Sequence, residues 1–320
     1  MSAPPRHGQP HGRTDGAFTG DGSLTQGCMA NRPLWLVLAP ALFLVLWSAG
    51  FGIAKMALAH AGPLTVLALR YGLAVLVLVP LGMLLRPRWP GRDGLRQIAT
   101  VGFLLQVVYF GLCYVAFKAG VSAGGVAIIV SLQPILVALA APWTVGERVS
   151  HRVWLGLVLG LAGALVAILA RSRIEAESLF GISCAVLALA GITAATLYEK
   201  RFGAAHHPVV ANLVQYAVGF VFCAPAALLS ETLTIDWTGE FVFAMAYLVL
   251  ANSLLAITLL LAMIRAGEVA RVSALFFLVP PLSALFAWPM LGEAMPPLGW
   301  AGFALAALGI ALVRQTRRRG

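Results

Sequence analysis

Charge is scarce in this chain. Only 11% of its 320 residues are Asp, Glu, Lys or Arg, against 60% that are hydrophobic. Soluble domains carry roughly 25% charged residues, so the deficit excludes a protein folded in water and points to an integral membrane protein. Cysteine is also sparse. Cys28, Cys113, Cys184 and Cys223 lie far apart with no C-x-x-C spacing, which excludes a zinc site or a disulfide framework. The last three read as small apolar packing residues. There is no H-E-x-x-H, P-loop or nucleotide-binding segment, so neither a metal or cofactor nor ATP-driven pumping by this chain alone is expected. No carboxylate falls in the middle of an apolar run, which leaves a buried proton relay without an obvious residue.

Long hydrophobic runs dominate what is there. A helix needs about 20 apolar residues to cross the hydrocarbon core. Ten runs qualify: 34–56, 63–85, 97–117, 122–145, 153–170, 179–198, 208–229, 241–264, 270–291 and 296–313. They are apolar on every face rather than alternating, which predicts helices and not barrel strands. The expected fold is an all-α integral membrane protein of ten transmembrane helices. Residues 1–32 are polar and rich in Gly, Pro and His, and are expected to form a disordered tail. This tail does not read as a signal peptide, because the first apolar run is too long and lacks a small-x-small cleavage site. Met29, directly before "ANRPLWL", offers an internal start of translation.

Lys and Arg set orientation. One side of a ten-span bundle collects 17 of them: Arg6, Arg13, Arg32, Arg86, Arg88, Arg92, Arg96, Arg148, Arg152, Lys200, Arg201, Arg265, Arg271, Arg314, Arg317, Arg318 and Arg319. The other side collects 4, Lys55, Lys118, Arg171 and Arg173, and Arg70 lies inside a span. Both termini are therefore expected in the cytoplasm. The formal net charge of +10 follows from loops facing anionic lipid and needs no nucleic acid partner.

The chain also repeats itself. "VGERVSHRVWLGLVLGLAG" from Val145 returns as "LGEAMPPLGWAGFALAALG" from Leu291. Glu147 matches Glu293, Trp154 matches Trp300 and Pro134 matches Pro280. Further upstream, Lys55 matches Lys200, Pro63 matches Pro208, Tyr71 matches Tyr216, Pro80 matches Pro225, and "FKAG" at Phe117 faces "IRAG" at Ile264. Two five-helix units follow, 33–174 and 175–314, with a basic cytoplasmic tail at 315–320. Five is odd, so the second unit crosses the membrane upside down. Inverted repeats of this kind place a site near the midplane between two halves that rock against each other.

Ten helices in two halves, each ending in P…(L/V)GE…W-x-G…G, are similar to the EamA-type transporters of the drug/metabolite transporter superfamily. The resemblance covers nearly everything after the tail. It implies export or exchange of small metabolites, often amino acids or related compounds, across the bacterial inner (plasma) membrane. It also implies peripheral spans 5 and 10 and a central cavity among the others.

Arg70 is the residue with most chemistry. A charge deep in lipid costs about 2.5–3.5 kcal/mol, so Arg70 either snorkels, ties to a carbonyl, or faces a cavity as the anchor for a substrate carboxylate. Its counterpart in the second half is Gln215. Gln106 corresponds to Ser253, with Asn252 adjoining. These residues, with Trp47, Ser48, Tyr109, Asn212 and Tyr216, are the substrate-cavity candidates, each also readable as interhelical packing or hydrogen bonding. Glu147 and Glu293, and the equivalent pair Lys118 and Arg265, lie at helix ends as gating or orientation charges. Pro134, Pro280 and Pro281 are expected to kink spans 4 and 9. Gly156 and Gly160 form a G-x-x-x-G that suits close packing within the bundle. His206 and His207 read as an interfacial pair rather than a metal site. The partners expected are a small-molecule substrate and membrane lipid, with monomer and homodimer both open. Two alternatives remain: a non-transporting or lipid-translocating protein of the same fold, and a membrane-embedded enzyme, for which no His or carboxylate cluster is visible.

Overall fold

A computed structural model describes residues 34–121, 126, 129–144, 146, 150–169, 178–202, 206–265, 275–279 and scattered positions between 282 and 309. Among the described residues there are helices and one isolated antiparallel bridge, Ala61 with Ile235, and no β-strand. Eight helices are defined: α1 Leu34–Leu58, α2 Pro63–Leu85, α3 Arg92–Lys118, α4 Gln133–Thr144, α5 His151–Leu169, α6 Leu179–Phe202, α7 Pro208–Ser230 and α8 Gly239–Ile264. Six of them, α1–α3 and α6–α8, are long and apolar enough to cross a membrane. They are the first three helices of each repeat.

Local sequence sets the ends. Pro63 and Pro208 occupy the first turns of α2 and α7, where a missing N–H costs nothing. Thr238 caps α8, its hydroxyl accepting from the Phe241 N–H at 3.1 Å. Pro134 falls in the first turn of α4, directly after a turn at Ser131–Leu132, so the helical path breaks just before the proline. Pro280, Pro281, Glu147 and Glu293 lie outside the described residues. The apolar run ending near 198 continues as helix to Phe202, because Glu, Lys and Arg are good helix formers. That extension takes Glu199 into α6, where it is buried.

The two repeats run in opposite directions. α2 and α7 make the most extensive helix–helix contact among the described elements. The start of α2 meets the end of α7: Glu231, just after α7, accepts the Leu64 and Thr65 N–H groups at 2.9 Å each and the Thr65 hydroxyl at 2.7 Å. At the other end, Gly82 near the close of α2 approaches Val209 at the opening of α7. α2 and α7, equivalent helices of the two repeats, are thus antiparallel neighbours, as an inverted repeat requires.

One apolar core joins α1, α2, α3, α6, α7 and α8. A separate small cluster, Ala138 and Leu157 with Ile135, Val153, Trp154 and Leu161, ties α4 to α5. Side chains such as Leu76, Leu84, Leu187, Val221, Leu229 and Phe243 project outward, an apolar surface suited to lipid. Gly156 and Gly160 of α5 receive Gly309, where a Cβ would stand 2.6 Å from the Gly156 oxygen. The G-x-x-x-G therefore packs against the last part of the second repeat.

Candidate functional site

The middle of α3 and the middle of α8 are not α-helical. Phe103–Gly111 and Leu248–Ala256 are π-helical, nine residues each. π-helical segments are rare and concentrate at functional sites. Here they carry Gln106, Tyr109 and Phe110 in one repeat and Asn252 and Ser253 in the other. Each is braced the same way. The Tyr71 hydroxyl donates to the Gln106 carbonyl at 2.8 Å, and the Tyr216 hydroxyl donates to the Ser253 carbonyl at 2.5 Å. The two tyrosine rings meet at 5.7 Å between centroids, and neither is exposed. These paired bonds match Gln106 to Ser253 in three dimensions, as the sequence repeat does.

Arg70 does not snorkel. It is 0% exposed, and its guanidinium reaches across to the second repeat. Nε donates to Ser253 Oγ at 2.6 Å and Nη2 to Asn252 Oδ1 at 3.2 Å. The Phe110 ring lies 4.6 Å from the guanidinium carbon, a cation–π distance. No carboxylate pairs with Arg70 among the described residues. A buried cation held by neutral dipoles leaves a net positive potential, which suits an anion.

A chamber of about 20 Å³ adjoins the guanidinium, lined by Trp47, Gly50, Phe51, Ala54, Tyr109, Phe110, Cys113, Tyr114, Phe117 and Asn252. It has room for a water and not for a metabolite, so the site is nearly closed as seen. Trp47 stacks on Tyr109 at 6.4 Å and meets Phe276 edge-on at 5.7 Å. A Cβ on Gly50 would overlap the Asn252 amide nitrogen, so a larger residue there would displace the Asn252 side chain. The Ser48 carbonyl accepts from Ser283 at 2.9 Å. Among the described residues, Trp47 Nε1, Ser48 Oγ and the Tyr114 hydroxyl have no hydrogen-bond partner.

Above the chamber opens a vestibule of about 970 Å³, and Phe117 lines both. Its walls include Lys55, His60, Lys118, Glu231, Asp236 and Glu240. A strap crosses it from one repeat to the other. Asp236 N–H donates to the His60 carbonyl at 3.0 Å, and His60 Nε2 stands 3.8 Å from Glu240. Lys118 is exposed at this rim, as is Lys55.

The remaining candidates lie apart from the chamber. Gln215, the counterpart of Arg70, and Gln106 are both 0% exposed, and neither carboxamide has a hydrogen-bond partner among the described residues. Asn212 Nδ2 donates to Thr258 Oγ1 at 2.5 Å, leaving Asn212 Oδ1 unpartnered there. The side chain of Arg265 lies outside the described set. No group of three or more potential metal ligands occurs among the described residues. Sequence reasoning missed the π-helical segments, for which composition carries no signal. It also missed Glu231, which a comparison of repeats could have found, since the first repeat has Arg86 at that place.

A pair of antiparallel three-helix units enclosing a buried cation beneath a polar vestibule defines a multi-pass membrane protein with a solute-sized entry on one face. The EamA-like transporter family matches residues 33–169 and again 179–315. The chain belongs to this family and is a membrane transporter. It is 26% identical over 282 residues to the uncharacterized transporter YvbV of Bacillus subtilis (strain 168), covering 85% of this chain and 89% of that protein. It is 24% identical over 295 residues to a probable amino-acid metabolite efflux pump of Salmonella typhimurium, covering 87% and 96%. A crystal structure at 20% identity covers 90% of this chain and 99% of its own, with a TM-score of 0.75, and shares the fold.

Proposed function

We propose that this protein is a secondary transporter that exports small carboxylate-bearing metabolites, amino acids or related compounds, across a bacterial inner membrane by alternating access. In this reading ten helices cross the bilayer, both termini are cytoplasmic, and the vestibule faces outward. One observation carries it: Arg70, fully buried with no paired carboxylate among the described residues, is held by Asn252 and Ser253 of the opposite repeat beside a small chamber that shares Phe117 with the vestibule. An anion bound there touches both halves at once, so its binding energy bears on how the halves sit. The relative named as an amino-acid metabolite efflux pump supports the substrate class.

A lipid-translocating role has one feature in its favour, an apolar groove of about 650 Å³ between α2 and α7. Its lining includes neither Arg70 nor any residue of the chamber, so a lipid in the groove would not meet the cation. The test is flux in proteoliposomes loaded with a panel of amino acids and organic acids. Carboxylate-dependent efflux lost in Arg70→Gln supports the reading. Equal flux in the variant, or flux only of labelled lipid, defeats it.

A further inference from the structure

The Arg70 chamber has an inverted image. The two tyrosine–carbonyl bonds fix its register: an offset of 145 for the first two helices of each repeat, and 147 for the third. Carried through, the chamber wall of α1, Phe51 and Ala54, becomes Thr196 and Glu199 of α6. Arg70 becomes Gln215, Tyr114 becomes Leu261, and the Ser253 that holds Arg70 becomes Gln106. All five image residues are buried.

The image differs from the chamber in what its polar groups find. Arg70 donates to both Ser253 and Asn252. Gln106 and Gln215 leave all four of their side-chain polar atoms without partners among the described residues. Their stems are closely packed: a Cβ on Gly102 would stand 2.7 Å from the Gln215 Cα, and one on Gly219 would stand 2.9 Å from the Gln106 Cβ. A buried polar group left unpaired is destabilising. Such a cost is tolerable in a surface that is closed for part of a cycle and wetted for the rest. The polar face of α6 continues the line, since Thr193, Thr196 and Glu199 are spaced for one helix face and Gln133 donates to Thr196 at 3.3 Å.

We infer that Gln106, Gln215, Thr196 and Glu199, with Leu261, line the other half of the transport pathway, the half opposite the vestibule, which is shut in this structure and fills with water when the halves rock. This rests on the transporter reading and adds where the second half-channel runs. Its chemistry is unlike the first. The chamber is cationic and aromatic, whereas the image has neutral carboxamides and aliphatic walls, with a carboxylate toward its mouth. A substrate anion is held at Arg70, whereas the described image residues inward of the rim positions Lys200 and Arg265 are neutral apart from Glu199.

The experiment uses the full chain with Cys28, Cys113, Cys184 and Cys223 replaced by Ser or Ala, and single cysteines at Thr196→Cys, Leu261→Cys, Phe51→Cys and Leu187→Cys. The probe is a membrane-impermeant maleimide applied to right-side-out and inverted vesicles, with flux measured on the same preparations. Phe51→Cys labels from the vestibule face. Thr196→Cys and Leu261→Cys label from the opposite face only. If the open image is a minor state of about 0.1–10%, they label at about one-thousandth to one-tenth of the rate of a free thiol. Lipid-facing Leu187→Cys labels from neither face. Two image positions are used so that one poorly folded variant does not decide the matter. Flux with Phe51→Cys labelled and both image cysteines silent overturns this inference and leaves the transporter reading standing. No flux and no labelling of Phe51→Cys removes both.

Discussion

Arg70 and Gln215 occupy the same place in the two halves, yet one is a hydrogen-bonded cation beside a chamber and the other an amide with no partner among the described residues. Around them the halves agree. Tyr71 and Tyr216 brace equivalent carbonyls, Pro63 and Pro208 open equivalent helices, and both third helices pass through a π-helical segment. The agreement builds a scaffold with two equivalent arrangements. The disagreement assigns each end its chemistry. A symmetric machine has no preferred face for its ligand, and the single Arg supplies one.

The comparison breaks most visibly at the cation itself. Arg70→Gln makes the halves chemically alike at this point and should remove about 2–5 kcal/mol of anion binding, read as a loss of carboxylate flux with unchanged membrane yield. The converse change, Gln215→Arg, adds a buried cation whose neighbour is Gln106 rather than the Ser253 and Asn252 pair. It should cost about 2.5–3.5 kcal/mol, read as reduced insertion or a lower unfolding temperature in detergent.

Packing at the seam gives the next effect. Gly219 faces Tyr71, and a Cβ would stand 2.8 Å from that ring, whereas its counterpart in the first half is Ala74, which is fully buried. Gly219→Ala should destabilise by about 1–3 kcal/mol through overpacking, checked by thermal unfolding. At the ends of the α2–α7 pair, Glu231→Ala removes three acceptor contacts from the start of α2 and should cost about 0.5–2 kcal/mol. His207→Ala at the other end loses one long bond of 3.4 Å to the Val209 N–H and should cost less. The smallest effect sharpens the likeness rather than the difference. Tyr71→Phe and Tyr216→Phe should each cost about 0.5–1.5 kcal/mol, and by similar amounts, since they break equivalent bonds.

Much of this was legible in the residues. The apolar runs marked the six membrane-competent helices, because lipid leaves a helix no other way to satisfy its backbone, but α3 starts at Arg92, five residues before its run, and α8 at Gly239, two before. The pairing of Tyr71 with Tyr216, and of Gln106 with Ser253, was visible as a repeat and reappears as hydrogen bonds. Arg70 stood out because a charge in an apolar run is costly enough to need a reason. Other features left no mark. A π-helical segment differs from an α-helix by one hydrogen-bond register, and "FLLQVVYFG" reads as either. Phe110 and Tyr114 look like packing residues until the fold turns them toward the guanidinium and its chamber. Glu231 lies just past an apolar run, where a charge is ordinary, and its role comes from a helix start 166 positions away in sequence. Glu199 was left outside its span because reading by hydropathy stops at the first charge, while a helix does not.

The central claim is that the two halves open by turns, and equivalent rim positions test it directly. Lys55 and Lys118 line the vestibule, and their images are Lys200 and Arg265. Spin labels at 55 and 118, and separately at 200 and 265, report the width of each end in lipid bilayers. The account predicts two distances for each pair, with a transported carboxylate shifting their populations in opposite directions. A single unchanging distance for both pairs, or both ends widening together, would contradict it.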